Sequence, residues 1–266
     1  MLIDFHTHCF PDSLAPKAIS KLEASGSIKA FTDGTASGLI NSMRESGIDY
    51  SVLLPIAATP SQTVKINDIS IQNNKKDNLF WFGSVHPHYE NIRYELDRLK
   101  DAGIKGIKLH PDFQGVFIDA PETVEVMKYA STLGLLLTIH GGMDISFPDL
   151  HRSTPKRLYS VLNQLEVAKI ICAHMGGYMY LDDVEKYLMN SNSVYIDTSF
   201  SIGKMDTEQI KRILNTFDSE RILFGTDSPW DSQKKALNDI KSLNISHELE
   251  DKILYKNACR LLDISL

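Results

Sequence analysis

The feature that most limits what this chain can become is one unit repeated along its length: a short apolar, often β-branched run, then a longer amphipathic stretch, with glycine or proline at the joints. Short apolar runs bounded by turn residues read as buried strands, and the stretches between them as helices. Strands are expected over about 2–8, 50–55, 79–86, 104–110, 135–140, 168–174, 193–198 and 221–227. Helices are expected over about 36–46, 61–76, 88–101, 121–132, 155–165, 206–217 and 248–262. Gly47, Gly103 and Gly134 stand where helices must stop, and Pro55, Pro87 and Pro111 where a strand can lose a backbone donor. Helical crossovers return the chain to lay parallel strands side by side, and about eight such units close a sheet into a (β/α)8 TIM barrel. No linker or low-complexity segment interrupts the pattern, so a single barrel over 1–266 is expected, in preference to an open doubly wound sheet.

A barrel gives the polar residues a geometry, because its active sites gather at the C-terminal ends of the strands. His6 and His8 end the first strand, His86 the third, His110 the fourth, His140 the fifth and His174 the sixth, and Asp227 ends the eighth. Only His88, His151 and His247 of the nine histidines fall elsewhere, so chance placement is a poor account of the set. In an extended strand His6 and His8 point the same way, with Thr7 turned aside. Two imidazoles make a clamp that needs further ligands to hold a catalytic metal.

The segments His6-Thr7-His8, Gly106-Ile107-Lys108-Leu109-His110-Pro111, His140-Gly141-Gly142, His174-Met175-Gly176-Gly177 and Gly225-Thr226-Asp227-Ser228-Pro229-Trp230 together resemble the amidohydrolase superfamily. Over nearly the full length the chain is most similar to the amidohydrolase-2 branch that holds aminocarboxymuconate-semialdehyde decarboxylase, resorcylate decarboxylases and lactone hydrolases. The tail Asn257-Ala258-Cys259-Arg260-Leu261-Leu262 resembles that branch's closing helix. The resemblance implies a divalent metal on His6, His8, His140 and Asp227, and a proton-exchanging role for His174. It implies one Zn2+ per chain, with Mn2+ or another divalent ion compatible. Imidazole nitrogens with one carboxylate suit such ions, whereas an all-oxygen site would suit Mg2+ or Ca2+. A metal of this kind lowers the pKa of its water from about 16 toward about 7. Asp227 can then bind through one oxygen and accept a proton with the other, while His174 hydrogen-bonds the water or a developing oxyanion. The competing role for Asp227 is a helix N-cap before Ser228-Pro229.

Lys108 and His110 both point inward from the fourth strand. Lys108 is read as a cationic substrate contact in preference to a carbamylated bridge between two metals. His86 either lines the pocket or satisfies a loop carbonyl. Phe113, Phe147 and Trp230 follow strand ends and offer apolar walls, and Arg152 is placed to hold a substrate carboxylate or to pair with an acid. A nuclease of the TatD type also opens with His-x-His, but carries a glutamate at the fourth strand end, where this chain has Lys108-Leu109-His110. A histidinol-phosphatase-type phosphoesterase needs more ligands than are found here. A non-catalytic metal-binding scaffold leaves the spare histidine unexplained. The expected function is metal-activated hydrolysis of an amide, ester or lactone of a small carboxylate-bearing substrate. The alternative is non-oxidative, metal-dependent decarboxylation of an aromatic or unsaturated acid.

Composition narrows the partners. A net charge of −6 with interspersed signs and no long basic run argues against nucleic acid. The longest apolar runs, such as Leu135-Leu136-Leu137, are too short to span a bilayer, and the N-terminus enters a strand without a basic leader. The three cysteines, Cys9, Cys172 and Cys259, lack any paired spacing and suit a reducing, cytoplasmic setting. A small-molecule substrate is the expected partner, and a homo-oligomer is compatible with the sequence.

Overall fold

The first strand is short and fully buried, Ile3–Thr7 (β1), and each later one resembles it. They are Tyr50–Leu53 (β2), Leu79–Trp81 (β3), Gly106–Leu109 (β4), Leu136–Ile139 (β5), Ile170–Cys172 (β6), Val194–Asp197 (β7) and Ile222–Leu223 (β8). These strands come from a computed structural model that describes residues 1–165 and 168–265. All are parallel, and each pairs with its neighbours in chain order within the runs β1–β3 and β4–β8. Backbone bonds join the runs on both sides. Gly83 donates to the Gly106 carbonyl (2.9 Å) and Lys108 to that of Gly83 (2.8 Å) at one seam. Phe5 donates to Phe224 O (2.8 Å) and Asp227 to His6 O (2.8 Å) at the other, so the sheet closes into the (β/α)8 barrel.

Two apolar clusters follow from the alternation of side chains across this closed sheet. The larger joins strand residues such as Leu53, Ile107, Leu109, Leu137, Ile139 and Ile196 to helix residues such as Leu39, Leu99, Met127, Leu158 and Ile210. The smaller gathers Ile3, Phe5, Val52, Leu54, Phe82, Leu136, Ile171 and Leu223 with Ala258, Cys259, Leu261 and Leu262 of the last helix, Asn257–Leu262. That leaves the C-terminal ends of the strands to polar residues.

The strands are shorter than the apolar runs that mark them, because the run ends bend away to form the mouth. The expected helix over about 88–101 begins only at Ile92, since Tyr89 donates to His86 O (2.9 Å) and a turn occupies the interval. Helices Ala15–Gly26, Leu181–Tyr187 and Gln233–Ser242 were not expected from the pattern. Elsewhere local chemistry sets the bounds: Thr35 Oγ1 caps helix Ala36–Ser46 by accepting from Gly38 N (3.0 Å), and Gly47 ends it at φ 71°. Among the described residues no helix is long and apolar enough to cross a membrane.

Candidate metal centre

The register of β1 shifts between Asp4 and Thr7, the interval that holds His6, and the His6 and His8 rings come together at the end of the strand with centroids 5.1 Å apart. Gly225 makes room for the first of them, since a Cβ there would lie 2.8 Å from the His6 Cβ. Asp227 reaches the same point from the end of β8, with its backbone in the left-handed region at φ 69°. It caps no helix; its carbonyl accepts from Trp230 N (2.8 Å). His6 Nε2 and His8 Nε2 are 3.2 Å apart, and Asp227 Oδ1 lies 3.0 Å from His8 Nε2 and 3.4 Å from His6 Nε2. Metal bonds of roughly 2.0–2.1 Å in a tetrahedron separate ligand atoms by roughly 3.4 Å, close to these spacings.

Hydrogen bonds on the far sides of the rings decide which nitrogens carry protons. His8 Nδ1 faces the Leu54 carbonyl (2.7 Å) and His6 Nδ1 the Asp197 carboxylate (2.8 Å), both acceptors. Each ring therefore donates from Nδ1, and its Nε2 presents a lone pair. Burial, then the Lys108 charge, pushes His6 down to about 3, so the ring is neutral. Burial alone would raise Asp227, but the imidazoles around it, His8 first, hold it well below the ordinary carboxylate range, so it is a carboxylate beside the neutral rings. Two lone pairs and a carboxylate oxygen thus face one another in a buried space. A cation among the three would be bound by two imidazole nitrogens and one carboxylate oxygen, a mixed N/O set suited to zinc and similar divalent ions. The donor set fits a divalent metal.

The same logic runs round the barrel. His174, also at positive φ (60°), turns Nδ1 to the Ser199 carbonyl (3.1 Å) and hydroxyl (3.0 Å), and that hydroxyl gives its own proton to Asp197. His174 Nε2 then accepts from His140 Nδ1 (3.0 Å), which leaves His140 Nε2 as a lone pair, buried and without a partner. His140 also stacks on His110, with ring centroids 4.0 Å apart and planes at 15°. His110 Nδ1 accepts from Phe113 N (3.5 Å), so its Nε2 carries the proton and lies 3.2 Å from Asp144 Oδ2, which is 3.9 Å from His140 Nε2. Burial first, then neighbouring positive groups, keeps His110 and His140 well below the ordinary imidazole range. The structure thus brings His6, His8 and Asp227 into one tight group. His140 stands beside it in a second group with His110 and Asp144, and His174 is between them, its ring 5.1 Å from that of His6 and 4.7 Å from that of His140.

The remaining expected residues divide. Lys108 is fully buried with Nζ 3.3 Å from His6 Nε2, and burial brings it down to about 8 against the pull of Asp197 and Asp227. Phe113 sets its edge against His110 (4.6 Å, 80°) and Phe147 its edge against Phe113 (5.1 Å, 83°), an aromatic wall on one side of the mouth. His86 spends both ring nitrogens on the backbone, Nε2 to Gln114 O (3.0 Å) and Nδ1 from His88 N (3.1 Å), which is the loop role of the two considered for it. Arg152 lies 3.6 Å from Asp112, the acid-pairing role of its two. Trp230, part-exposed, follows the turn that carries Asp227. Asp144, Asp197 and Ser199 were not singled out from the sequence. Only Asp197, at the end of a strand with a carboxylate at the mouth, had a position that could have signalled it.

Comparison with known proteins places this arrangement. No curated protein matches the chain. Solved structures that resemble it share the barrel at low identity. One is an uncharacterised TIM-barrel protein from Bordetella bronchiseptica (TM-score 0.78, 16% identity, 98% of each chain covered). Another is a 2,6-dihydroxybenzoate decarboxylase from Rhizobium (0.74, 17%, 99% of this chain and 98% of that one). A third is a 5-carboxyvanillate decarboxylase from Novosphingobium aromaticivorans with bound manganese (0.73, 14%, 99% and 97%). The amidohydrolase family model Amidohydro_2 matches residues 3–264, from the first residue of β1 to the end of the tail, and the chain therefore belongs to the amidohydrolase family, in its amidohydrolase-2 branch.

Proposed function

We propose that the protein is a metal-dependent, non-oxidative decarboxylase of a small aromatic acid. The observation that carries this reading is the pairing of a cation-seeking group with an aromatic wall. His6, His8 and Asp227 converge at 3.0–3.4 Å, while Phe113 and Phe147 line the mouth beside His110. The decarboxylases of dihydroxybenzoate and carboxyvanillate among the structural relatives support it, and move the reading from the hydrolysis expected from the sequence to its alternative.

In this reading His6, His8, Asp227 and, through its unpartnered Nε2, His140 hold one divalent ion, zinc or the manganese found in a relative. The ion supplies positive charge to polarise a substrate oxygen. Lys108 adds a buried cation on the same side and binds the carboxylate or an adjacent oxygen of the substrate as a point charge. Asp227 turns Oδ1 to the imidazoles, so Oδ2 is the atom that holds a proton in transit, with His174 as the neighbouring imidazole in proton exchange. The balance is simple: the ring carbon gains a proton as its bond to the carboxyl carbon breaks and carbon dioxide leaves. Phe113 and Phe147 orient the ring and keep water from the carbon.

The test is a panel of benzoates bearing hydroxyl groups, assayed for carbon dioxide release beside a panel of aryl esters and lactones assayed for hydrolysis. Release from at least one acid, abolished by a chelator and restored by Mn2+ or Zn2+, is expected. Turnover of esters or lactones with no release from any acid would overturn the proposal in favour of hydrolysis.

A further inference from the structure

We propose that Asp144 and His110 form a subsite that reads a ring hydroxyl on the substrate, remote from the group that leaves. The proposal rests on the aromatic-acid reading above and adds to it which substituent the ring must carry. Its basis is the turn that follows β5. Asp144 Oδ1 accepts from Ser146 N (2.7 Å), and its carbonyl accepts from Phe147 N (2.9 Å). One tight turn therefore fixes both a carboxylate and one face of the aromatic wall. The other oxygen, Oδ2, lies 3.2 Å from His110 Nε2, and His110 itself lies edge-on to Phe113 at 4.6 Å. The oxygen therefore lies beside the His110 ring on which Phe113 packs, with Phe147 fixed by the same turn as Asp144.

What that oxygen can recognise follows from its charge state and its neighbours. A carboxylate oxygen offers more than one acceptor direction, and the one contact to His110 leaves another open. A second substrate carboxylate is repelled there, and a methoxy group brings no proton, so the group that fits is a neutral donor. Hydroxyl and amino groups are both such donors on an aromatic acid, and hydroxyl is the one carried by the dihydroxybenzoate of a structural relative. The pair does not call for a cation instead. The hydrogen bond from Phe113 N to His110 Nδ1 puts the ring proton on Nε2, the nitrogen 3.2 Å from Asp144 Oδ2, so the imidazole turns a proton and not a lone pair toward that carboxylate. Hydrogen bonds to a charged partner typically change affinity by about tenfold to a hundredfold, and a site built around one discriminates strongly against the analogue that lacks it.

Calorimetric binding separates this from turnover. The metal-loaded protein is titrated with benzoate, the three monohydroxybenzoates and the matching methoxybenzoates. Wild type is expected to bind at least one hydroxybenzoate about tenfold or more tighter than benzoate and than its methoxy analogue. Asp144→Ala should remove that preference while benzoate affinity stays within about threefold. Asp144→Asn, which keeps an acceptor oxygen without the charge, should retain part of it and guards against a fold defect in the alanine variant, with both checked by thermal melting. A preference that persists in both variants, or no preference in wild type, overturns the subsite, and so does a failure of every benzoate to bind. Absence of carbon dioxide release with the binding preference intact would instead count against the decarboxylase reading alone.

Discussion

Asp197→Asn is the substitution that most directly tests how the metal group is held. Asp197 Oδ2 accepts from His6 Nδ1 (2.8 Å), while Oδ1 accepts from His174 N (3.0 Å), Ser199 N (3.0 Å) and the Ser199 hydroxyl. An asparagine cannot serve all four donors. With its oxygen toward the three on the Oδ1 side, its amide points at His6 Nδ1, which must then become an acceptor. His6 shifts its proton to Nε2, and the lone pair that faces His8 and Asp227 is gone. The flipped amide is worse, because it sets two backbone N–H groups and a hydroxyl against an NH2 in a fully buried place. The first arrangement therefore wins, and the cost falls on metal affinity. Removing an outer partner of a metal histidine typically costs 10- to 100-fold, and loss of the ligand tautomer places this variant at the upper end, about 2.8 kcal/mol at 1.4 kcal/mol per factor of ten. Competition against a chelator of known affinity, for Zn2+ and Mn2+, measures it. Ser199→Ala, which leaves the Asp197–His6 bond intact, is the control and should weaken binding less than about threefold. An Asp197→Asn protein that binds either metal within threefold of wild type would refute the tautomer argument.

Other expectations follow from the same geometry. The protein as purified should hold about one divalent ion per chain, and a His6→Ala/His8→Ala double variant should lose it; full occupancy by elemental analysis would show the ligands lie elsewhere. His174→Asn should keep most of the metal and lose about a hundredfold in turnover, whereas Asp227→Asn should lose both, and wild-type turnover in the first would return His174 to a packing role. Stability of the metal-free protein should fall as pH drops below about 6.5. His6, His110 and His140 are all lowered in the fold, so between their folded and unfolded pKa values the unfolded chain binds protons that the folded chain does not. Asp4 and Asp112 oppose this, since burial raises them to about 7 and about 6 and their contribution is lost as pH rises, but they are two carboxyls against four imidazoles, His86 being lowered by burial as well. A melting temperature flat from pH 7 to 5 would contradict the neutral assignment of these imidazoles.

Much of this centre was legible because barrels collect function at strand ends, and a histidine at the end of one apolar run after another is visible in a line of text. His6, His8, His110, His140, His174 and Asp227 could all be placed at the mouth in that way. What could not be read was which nitrogen of each ring is free. That depends on partners such as Asp197, 191 residues from His6, and Ser199, 25 from His174, brought close only by ring closure. Asp144 was hidden for a different reason: its signal is a turn within the loop after Gly141-Gly142, and an aspartate in a loop is more often a turn former than a site residue. The unexpected helices Leu181–Tyr187 and Gln233–Ser242 are short or strongly polar, so their periodicity is weak.

The backbone at the mouth adds a constraint that ties site and fold together. His174, Met175 and Asp227 all sit at positive φ, a region that costs a residue with a side chain about 1–3 kcal/mol. Surrounding bonds must hold such conformations in place. For Asp227 the holders are its own N–H to His6 O (2.8 Å) and the preceding Thr226, whose N and Oγ1 both donate to the buried Asp4 (3.0 and 2.6 Å). For His174 the holder is Asp197, which takes its N–H, while Met175 N donates to the Asp197 carbonyl (2.7 Å). Asp197 therefore does two jobs with one side chain: it keeps the His174 backbone in its costly turn and it orders the proton on His6. Asp4 binds the backbones of both His6 and the residue before Asp227, so it links two members of the metal group across the β8–β1 seam. Each of these carboxylates joins elements that no local sequence pattern connects, so losing either should disturb the metal group before it unfolds the barrel, whose apolar clusters they do not enter.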